Sequence, residues 1–375
     1  MLSTLAQHMQ SVASGWQLYT LTGSALDLGL VGLVQFVPIV PLTLLVGQVA
    51  DRYDRRLVVV ACHVAEAGAT AVLALGSLGG WLGRGGILVI VAILGIARAF
   101  ENPARAALMP RLVPLGQLSR AIASVTAAGQ TARIVGPALG GALYALGAPT
   151  VYLIVAALYL GGGVLIGLVK DAPVTRPREE ITASSLFSGV AFILRRRLLL
   201  GLMSLDLFAV LLGGATALLP IYARDILDTG PWGLGLLRAA PAVGALALSL
   251  VLAHRPIEHN AGPLLFGSIL VFGVATNLAL SLAALVVLGA SDLLSMIIRQ
   301  SMVQIRTPDD MRGRVSAVHS LFTGTSNQLG EFESGLLAAA LGAVAAVLIG
   351  GVGTIAVALV WMCRFPELRR FHLRP

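Results

Sequence analysis

The chain has 375 residues, 57% of them hydrophobic and only 12% charged, with a mean hydropathy of +0.88, which excludes an ordinary soluble domain and points to a polytopic membrane protein. Its net charge of +8, from 25 arginines and one lysine against 18 acids, reflects membrane topology rather than nucleic-acid binding, because the basic residues collect in alternate loops. Ten-residue alternating segments of an outer-membrane barrel are absent, while the 43 glycines suit helices that pack closely in lipid.

In chain order, apolar runs of bilayer length are predicted at 2–20, 25–49, 57–78, 87–108, 119–146, 149–169, 198–221, 233–253, 262–278, 280–301, 314–340 and 342–363, twelve spans in all. Tight turns are expected near Gly147 and Leu341. The loops and tail on one side carry 21 Lys/Arg, in 50–57, 105–120, 170–197, 254–261, 299–314 and from 364 onward; the opposite loops carry two, Arg84 and Arg224. By the positive-inside rule both termini are cytoplasmic, which predicts a multi-pass protein of the plasma (inner) membrane.

The longest polar stretch separates a six-helix bundle, 1–169, from a second one, 198–363. Between them lies a cytoplasmic linker, 170–197, and a cytoplasmic tail, 364–375, closes the chain. The linker's second part, LFSGVAFILRRR, is read as solvated, with a helix on the inner leaflet as the alternative. Compared with itself at an offset of 194, the chain aligns Arg105 with Arg299, Pro114 with Pro308, Arg120 with Arg314, Gly136 with Gly330 and Gly141 with Gly335. Span four to span five thus repeats as span ten to span eleven, as a 6+6 transporter repeat requires.

The turn GQVADRYDRR places Gly47, Asp51, Arg52, Arg55 and Arg56 between two apolar runs. Acid and base there are spaced to pair across the turn and with neighbouring helix ends, a bistable element suited to a cytoplasmic gate. Arg98, Glu101 and Arg105 near the inner end of span four join that set, with Arg98 and Glu101 expected to neutralise each other at i, i+3; Arg314 completes it. In span five, ARIVGPALGG holds Gly136, Pro137, Gly140 and Gly141.

The turn motif resembles the loop between helices two and three of the major facilitator superfamily, and the span-five motif resembles that superfamily's antiporter signature, with Ala132 where a glycine is usual. This resemblance implies an all-α polytopic membrane protein with the twelve-helix major facilitator fold, and efflux rather than uptake. NPARAALMPRLVP, TARIVGPALGG and above all TSNQLGEFESG resemble the enterobactin (siderophore) exporter branch, which implies export of a catecholate siderophore. Members of that branch usually begin with a basic tail before a full first helix, whereas this chain opens on MLSTLAQHMQSVASGWQLY, so the resemblance implies a start upstream of Met1.

Ionisable groups inside spans are costly in lipid and are candidates for function. The acids Glu331, Glu333, Asp206 and Asp292 are expected to serve proton coupling, with Glu331 foremost because it shares a helical face with Asn327; Glu66 in span three is a further interior acid. Arg133 and Arg238 have no acid near them in sequence and suit anionic or catechol oxygens. Trp16, Gln17, Gln35, Phe36, His319, Asn327 and Gln328 offer aromatic and amide groups to an amphipathic small-molecule substrate.

The expected partners are that substrate, a proton as coupling ion and the bilayer, with the protein working as a monomer, without nucleic acid, cofactor or metal. A multidrug efflux antiporter is the alternative. A membrane enzyme and a solute importer rank lower: the six histidines show no ligand spacing, there is no phosphate-binding loop, and the Gly136-Pro137 signature opposes import. Cys62 and Cys363 read as packing residues.

Overall fold

The structure is a computed structural model that describes residues 1–39, 41–42, 46, 49, 53–169, 190–252 and 269–364. Among these the chain is almost entirely helical and contains no strand. Eleven long helices follow one another: α1 (Leu2–Thr22), α2 (Ala25–Phe36), α3 (Arg55–Leu78), α4 (Arg84–Leu112), α5 (Leu118–Tyr144), α6 (Ala148–Leu168), α7 (Arg197–Leu212), α8 (Gly230–Leu252), α9 (Leu278–Arg306), α10 (Asp309–Leu341) and α11 (Ala343–Arg364). Each coincides with one apolar run. Of the remaining run, 262–278, residues 269–274 are described and helical.

Seven of the described helical segments are long and apolar enough to cross a membrane: Arg55–Leu78, Arg84–Ala106, Ala148–Leu168, Leu199–Ile226, Gly230–Leu252, Leu278–Val303 and Ala343–Trp361. α1 has the length, but Gln7, His8, Gln10, Ser11, Ser14 and Gln17 interrupt its apolar surface. That composition fits a helix surrounded by protein rather than lipid, and Gln10 and Ser14 are buried.

Local chemistry sets the helix ends. α1 stops at Gly23, whose left-handed φ of 61° lets its N–H reach the Tyr19 carbonyl. Ser24 then caps α2 by accepting from the Asp27 amide, Asp54 caps α3 by accepting from Arg56 N–H at 2.9 Å, and Asn277 caps α9 by accepting from Leu280 N–H at 2.8 Å. The two expected tight turns fall on glycines: Gly147 at φ 99° and Gly342 at φ 89°, each the residue before a new helix, in conformations that a side chain would strain.

α7 does not run straight through its span. It ends at Leu212, passes Gly213 and a 3₁₀ turn over Gly214–Leu218, and resumes as Leu219–Ile221 and a π turn over Tyr222–Ile226. The Gly213-Gly214 pair and Pro220 account for the break, since glycine favours departure from the helix and proline removes a donor. Periodicity alone reads one continuous span here.

The chain divides into two compact units: Met1–Glu180 with Asp228–Ala239, and Ile181–Leu227 with Ala240–Pro375. The first is built around Met9, Leu18, Leu73, Ile87, Leu94, Tyr152 and Tyr159, on α1, α3, α4 and α6. The second packs Leu199, Leu202 and Met203 of α7 against Met302, Val303, Val315 and Val318 of α9 and α10. Ile193 belongs to this second core, with Phe192 beside it, and the Arg196 guanidinium lies over the Phe192 ring at 4.8 Å. Residues 190–195 are helical, so this part of the expected linker is docked rather than solvated; burial of Ile193, with Val190 and Phe192 packed beside it, drives it. Residues 170–189 lie outside the described set. Cys62 is buried as expected, whereas Cys363 is exposed.

Candidate functional site

In the first unit, α1, α3, α4 and α6 enclose a network of charged and polar side chains. His63 and Glu66 stand one turn apart on α3 and are 1% and 0% exposed. From α4, Glu101 accepts from Arg105 at 3.1 Å and lies 3.2 Å from His63 Nε2. Arg105 also donates to Ser3 of α1 at 3.3 Å and to Asn102 at 3.4 Å. Arg98, one turn before Glu101 on α4, donates to the side-chain oxygens of Gln10 on α1 and Gln35 on α2, and its Nε is 3.9 Å from Glu66 Oε1.

Two features of this network differ from the expectation. Arg98 and Glu101 do not form the i, i+3 pair: Arg98 turns to α1, α2 and α3, while Glu101 pairs with His63 of α3 and, one position further along its own helix than expected, with Arg105 at i, i+4. The absence of ligand spacing among the histidines also needs correction. His63, Glu66 and Glu101 bring one ligand atom each to within 4.8 Å of one another; the cue in the sequence is the His63–Glu66 interval of three, one helical turn. With Arg98 and Arg105 already at these acids, a divalent cation would leave excess positive charge in a dry interior.

The antiporter-like motif forms a seam in the same unit. A Cβ on Gly136 would lie 2.7 Å from His8 Cβ, and one on Gly140 would lie 2.8 Å from Met9 Cα, so α5 rides directly on α1. Gly141 faces the other way, where a Cβ would overlap the Pro231 carbonyl at the start of α8. Pro137 sits inside α5, and its carbonyl lies against Gly235. Such small-residue contacts let backbones approach where lipid provides no drive for association. Arg238 on α8 donates to Ser11 of α1, whereas Arg133 on α5 is exposed.

The second unit holds a similar seam with other chemistry. A Cβ on Gly330 of α10 would lie 2.7 Å from the Leu211 carbonyl, and one on Gly214 would overlap the Gly330 carbonyl. Asp206 of α7, 4% exposed, accepts from Thr323 of α10 at 3.2 Å. Glu331 and Glu333 are half-buried and Asp292 is exposed; Ser334 donates to Glu333 at 3.5 Å. Asn327 is exposed and donates to the Thr323 carbonyl, while His319 and Gln328 are half-buried.

Of the other expected substrate contacts, Trp16 is 9% exposed and Phe36 half-buried. Gln17 donates to Ser77 at 2.8 Å and accepts from the Tyr152 hydroxyl at 2.7 Å, tying α1 to α3 and α6. Of the gate set, Arg56 donates to the Val169 carbonyl at 2.7 Å, which satisfies an orphan carbonyl at the end of α6. Arg55 opens α3. Gly47, Asp51 and Arg52 lie outside the described residues, as does the side chain of Arg314.

The sequence matches the transmembrane secretion effector family over residues 1–375. An enterobactin exporter, EntS, of Citrobacter koseri is 28% identical, with 96% of this chain and 86% of the exporter covered. EntS of Escherichia coli is 27% identical over the same shares, and an uncharacterized MFS-type transporter, YfiS, of Bacillus subtilis is 26% identical over 94% and 88%. Among solved structures, a bacterial homolog of the human lysosomal transporter Spinster, inward-facing and unoccupied, has a TM-score of 0.77 at 12% identity, covering 100% of this chain and 97% of its own. The nucleoside transporter NupG has a TM-score of 0.75 at 15% identity, covering 97% and 98%. These two carry the fold.

Proposed function

This chain belongs to the transmembrane secretion effector family of the major facilitator superfamily, and from that membership we propose that it is a proton-driven exporter of a small amphipathic molecule, a catecholate siderophore. One observation supports this cargo above others: relatives named as enterobactin exporters align with 96% of the chain. The positive-inside count, 21 basic residues against two, supports placing both termini on the cytoplasmic side of an inner membrane.

In this reading two six-helix halves alternate access to a site at mid-membrane depth. The turn from Gly47 to Arg56, with Arg98, Glu101, Arg105 and Arg314, latches the cytoplasmic side, and Arg133 and Arg238 offer planar donor forks to vicinal oxygens. A cavity arginine repels a cationic drug, which sets this cargo apart from that of a multidrug antiporter.

The test is expression in an enterobactin-producing strain whose own exporter has been deleted. Restored enterobactin in iron-limited culture medium, with cationic-dye resistance unchanged, is the expected outcome. Dye resistance gained without enterobactin release would replace this reading with the multidrug one. The gate is tested in the same strain: Asp51→Asn should insert normally yet lower export per inserted molecule by at least about tenfold, since one lost gating pair of about 1.4 kcal/mol already amounts to a factor of ten.

A further inference from the structure

Resting on the reading of the chain as a gradient-driven exporter, we propose that Glu66 binds the coupling proton and that Arg98 reads its state, passing it to α1 and α2. Glu66 stands eleven residues into α3, about 16 Å along a helix axis at 1.5 Å per residue, and is 0% exposed. Neither of its carboxylate oxygens accepts a hydrogen bond. Its neighbour Glu101 is a second carboxylate with a ligand atom inside the same 4.8 Å cluster, but Glu101 has both His63 and Arg105. One acid of the pair is satisfied and the other is not. Two adjacent buried carboxylates without enough donors share a proton more readily than they share two charges.

The charged and titratable groups around Glu66 are Arg98, Glu101 and Arg105 from α4, Tyr159 from α6, and His63 and Cys62 on its own helix, with the Met1 amino group next to Arg105 and Glu101 at the start of α1. Unused hydrogen-bonding atoms concentrate among them. His63 Nδ1, the Tyr159 hydroxyl and Arg98 Nε are buried and make no close hydrogen bond, like both Glu66 oxygens, with Arg98 Nε and Glu66 Oε1 3.9 Å apart. Elsewhere in a membrane interior each such atom is costly, so their convergence marks a place where hydrogen bonds are remade between states.

Arg98 supplies the readout. Its two terminal nitrogens are held by Gln10 of α1 and Gln35 of α2, and only Nε faces Glu66, at 3.9 Å. That arrangement suits a neutral Glu66, which needs no counter-ion. When the proton leaves, the carboxylate becomes an unpaired buried charge, and Arg98 is the nearest cation that can turn to it, releasing Gln10 and Gln35. Proton loss thereby exchanges an α4 link to α1 and α2 for a link to α3. The step is a single proton transfer from the Glu66 carboxyl to a base, with His63 adjacent to take or relay it.

The acids in the second unit lack this setting. Asp206 accepts from Thr323, Asp292 is exposed, and Glu331 and Glu333 are half-buried.

The experiment uses the full-length protein in lipid nanodiscs. Infrared difference spectra between acidic and alkaline buffer should show the carbonyl stretch of a protonated carboxylic acid, shifted in D₂O, that Glu66→Gln removes and Glu331→Gln and Glu333→Gln retain. In proteoliposomes with enterobactin as the probe, Glu66→Gln should lose accumulation driven by a pH gradient while keeping enterobactin exchange at equal pH. A merely structural role would impair both. A band retained in Glu66→Gln, or gradient-driven accumulation unchanged by it, overturns the proposal.

Should Glu66→Gln fail to fold, dicyclohexylcarbodiimide, which modifies protonated carboxyls in apolar surroundings, decides on the wild-type protein. Peptide mapping should find the adduct at Glu66 and less of it at alkaline pH, whereas an adduct at Glu331 or Glu333 alone overturns the assignment. If the wild type moves no enterobactin at all, the cargo reading fails, and the infrared and labelling results still decide the proton site.

Discussion

The helix pair α1–α5 in the first unit and the pair α7–α10 in the second are built on one packing device and carry different chemistry. In each, a glycine on the later helix brings its backbone against the earlier one: Gly136 and Gly140 against His8 and Met9, Gly330 against Leu211. Beside the first seam lie buried Glu66, Glu101 and His63 with the half-buried Arg98 and the exposed Arg105 in one network. Beside the second, the polar tie described between the helices is Thr323 to Asp206. Among the described residues, shape is what the two seams share and polar ties are where they differ, since backbone-to-backbone contact tolerates only glycine while a buried polar group can be replaced whenever its partner changes too.

The largest effect should come from attacking the shared device. Gly140→Val and Gly330→Val each force a branched side chain into backbone that cannot yield, at a cost of about 3 kcal/mol or more. Thermal unfolding in detergent should show both proteins strongly destabilised; a loss in one alone would mean that the two seams are not equivalent.

The next effect should separate the regions. Arg98→Ala leaves the side-chain oxygens of Gln10 and Gln35 without their donor, and each hydrogen bond to a charged group is worth about 1.5–3 kcal/mol. Thr323→Val removes a single hydrogen bond to Asp206 and should cost about 1.5 kcal/mol, the scale of one hydrogen bond. Adding Glu66→Gln to Arg98→Ala should recover part of the loss at alkaline pH, where Glu66 would otherwise become an unpaired buried charge, and equal losses for Arg98→Ala and Thr323→Val would erase the contrast. The smallest effect belongs to the ion pair between Arg84 of α4 and Asp27 of α2, at 2.6 Å with the Arg84 side chain 53% exposed. Arg84→Ala should lower stability by about 1 kcal/mol, because water screens the arginine; a shift in melting temperature as large as that of Arg98→Ala would show that this pair is more buried in lipid than its exposure implies.

The long elements were legible because lipid imposes length and apolarity together: a run such as Ala148–Leu168 has few other ways to satisfy its backbone. The turns at Gly147 and Gly342 were legible as well, since a glycine between two apolar runs has few roles. The break in α7 was present in Gly213-Gly214 and Pro220 but hidden by an unbroken apolar composition. Partners were harder. Arg98 has Glu101 three residues away, yet its contacts are 32, 63 and 88 positions distant, at Glu66, Gln35 and Gln10. Gln17 likewise has an amide suited to a ligand, and its bonds to Ser77 and Tyr152 depend on which helices meet, information that spacing along one helix does not contain. Glu66 stood out only as an acid in an apolar run, and its distinction from other such acids lies in its unpartnered oxygens.

The turns at Gly147 and Gly342 also bear on how the chain is made. Gly342 alone separates α10 from α11, and three residues, Ala145, Leu146 and Gly147, separate α5 from α6. Connections that short leave nothing for an insertion machinery to hold between one helix and the next. They hold α5 against α6, and α10 against α11, as antiparallel hairpins once both helices of a pair have been made, so the strongly apolar α6 or α11 anchors in the bilayer the more polar helix that precedes it.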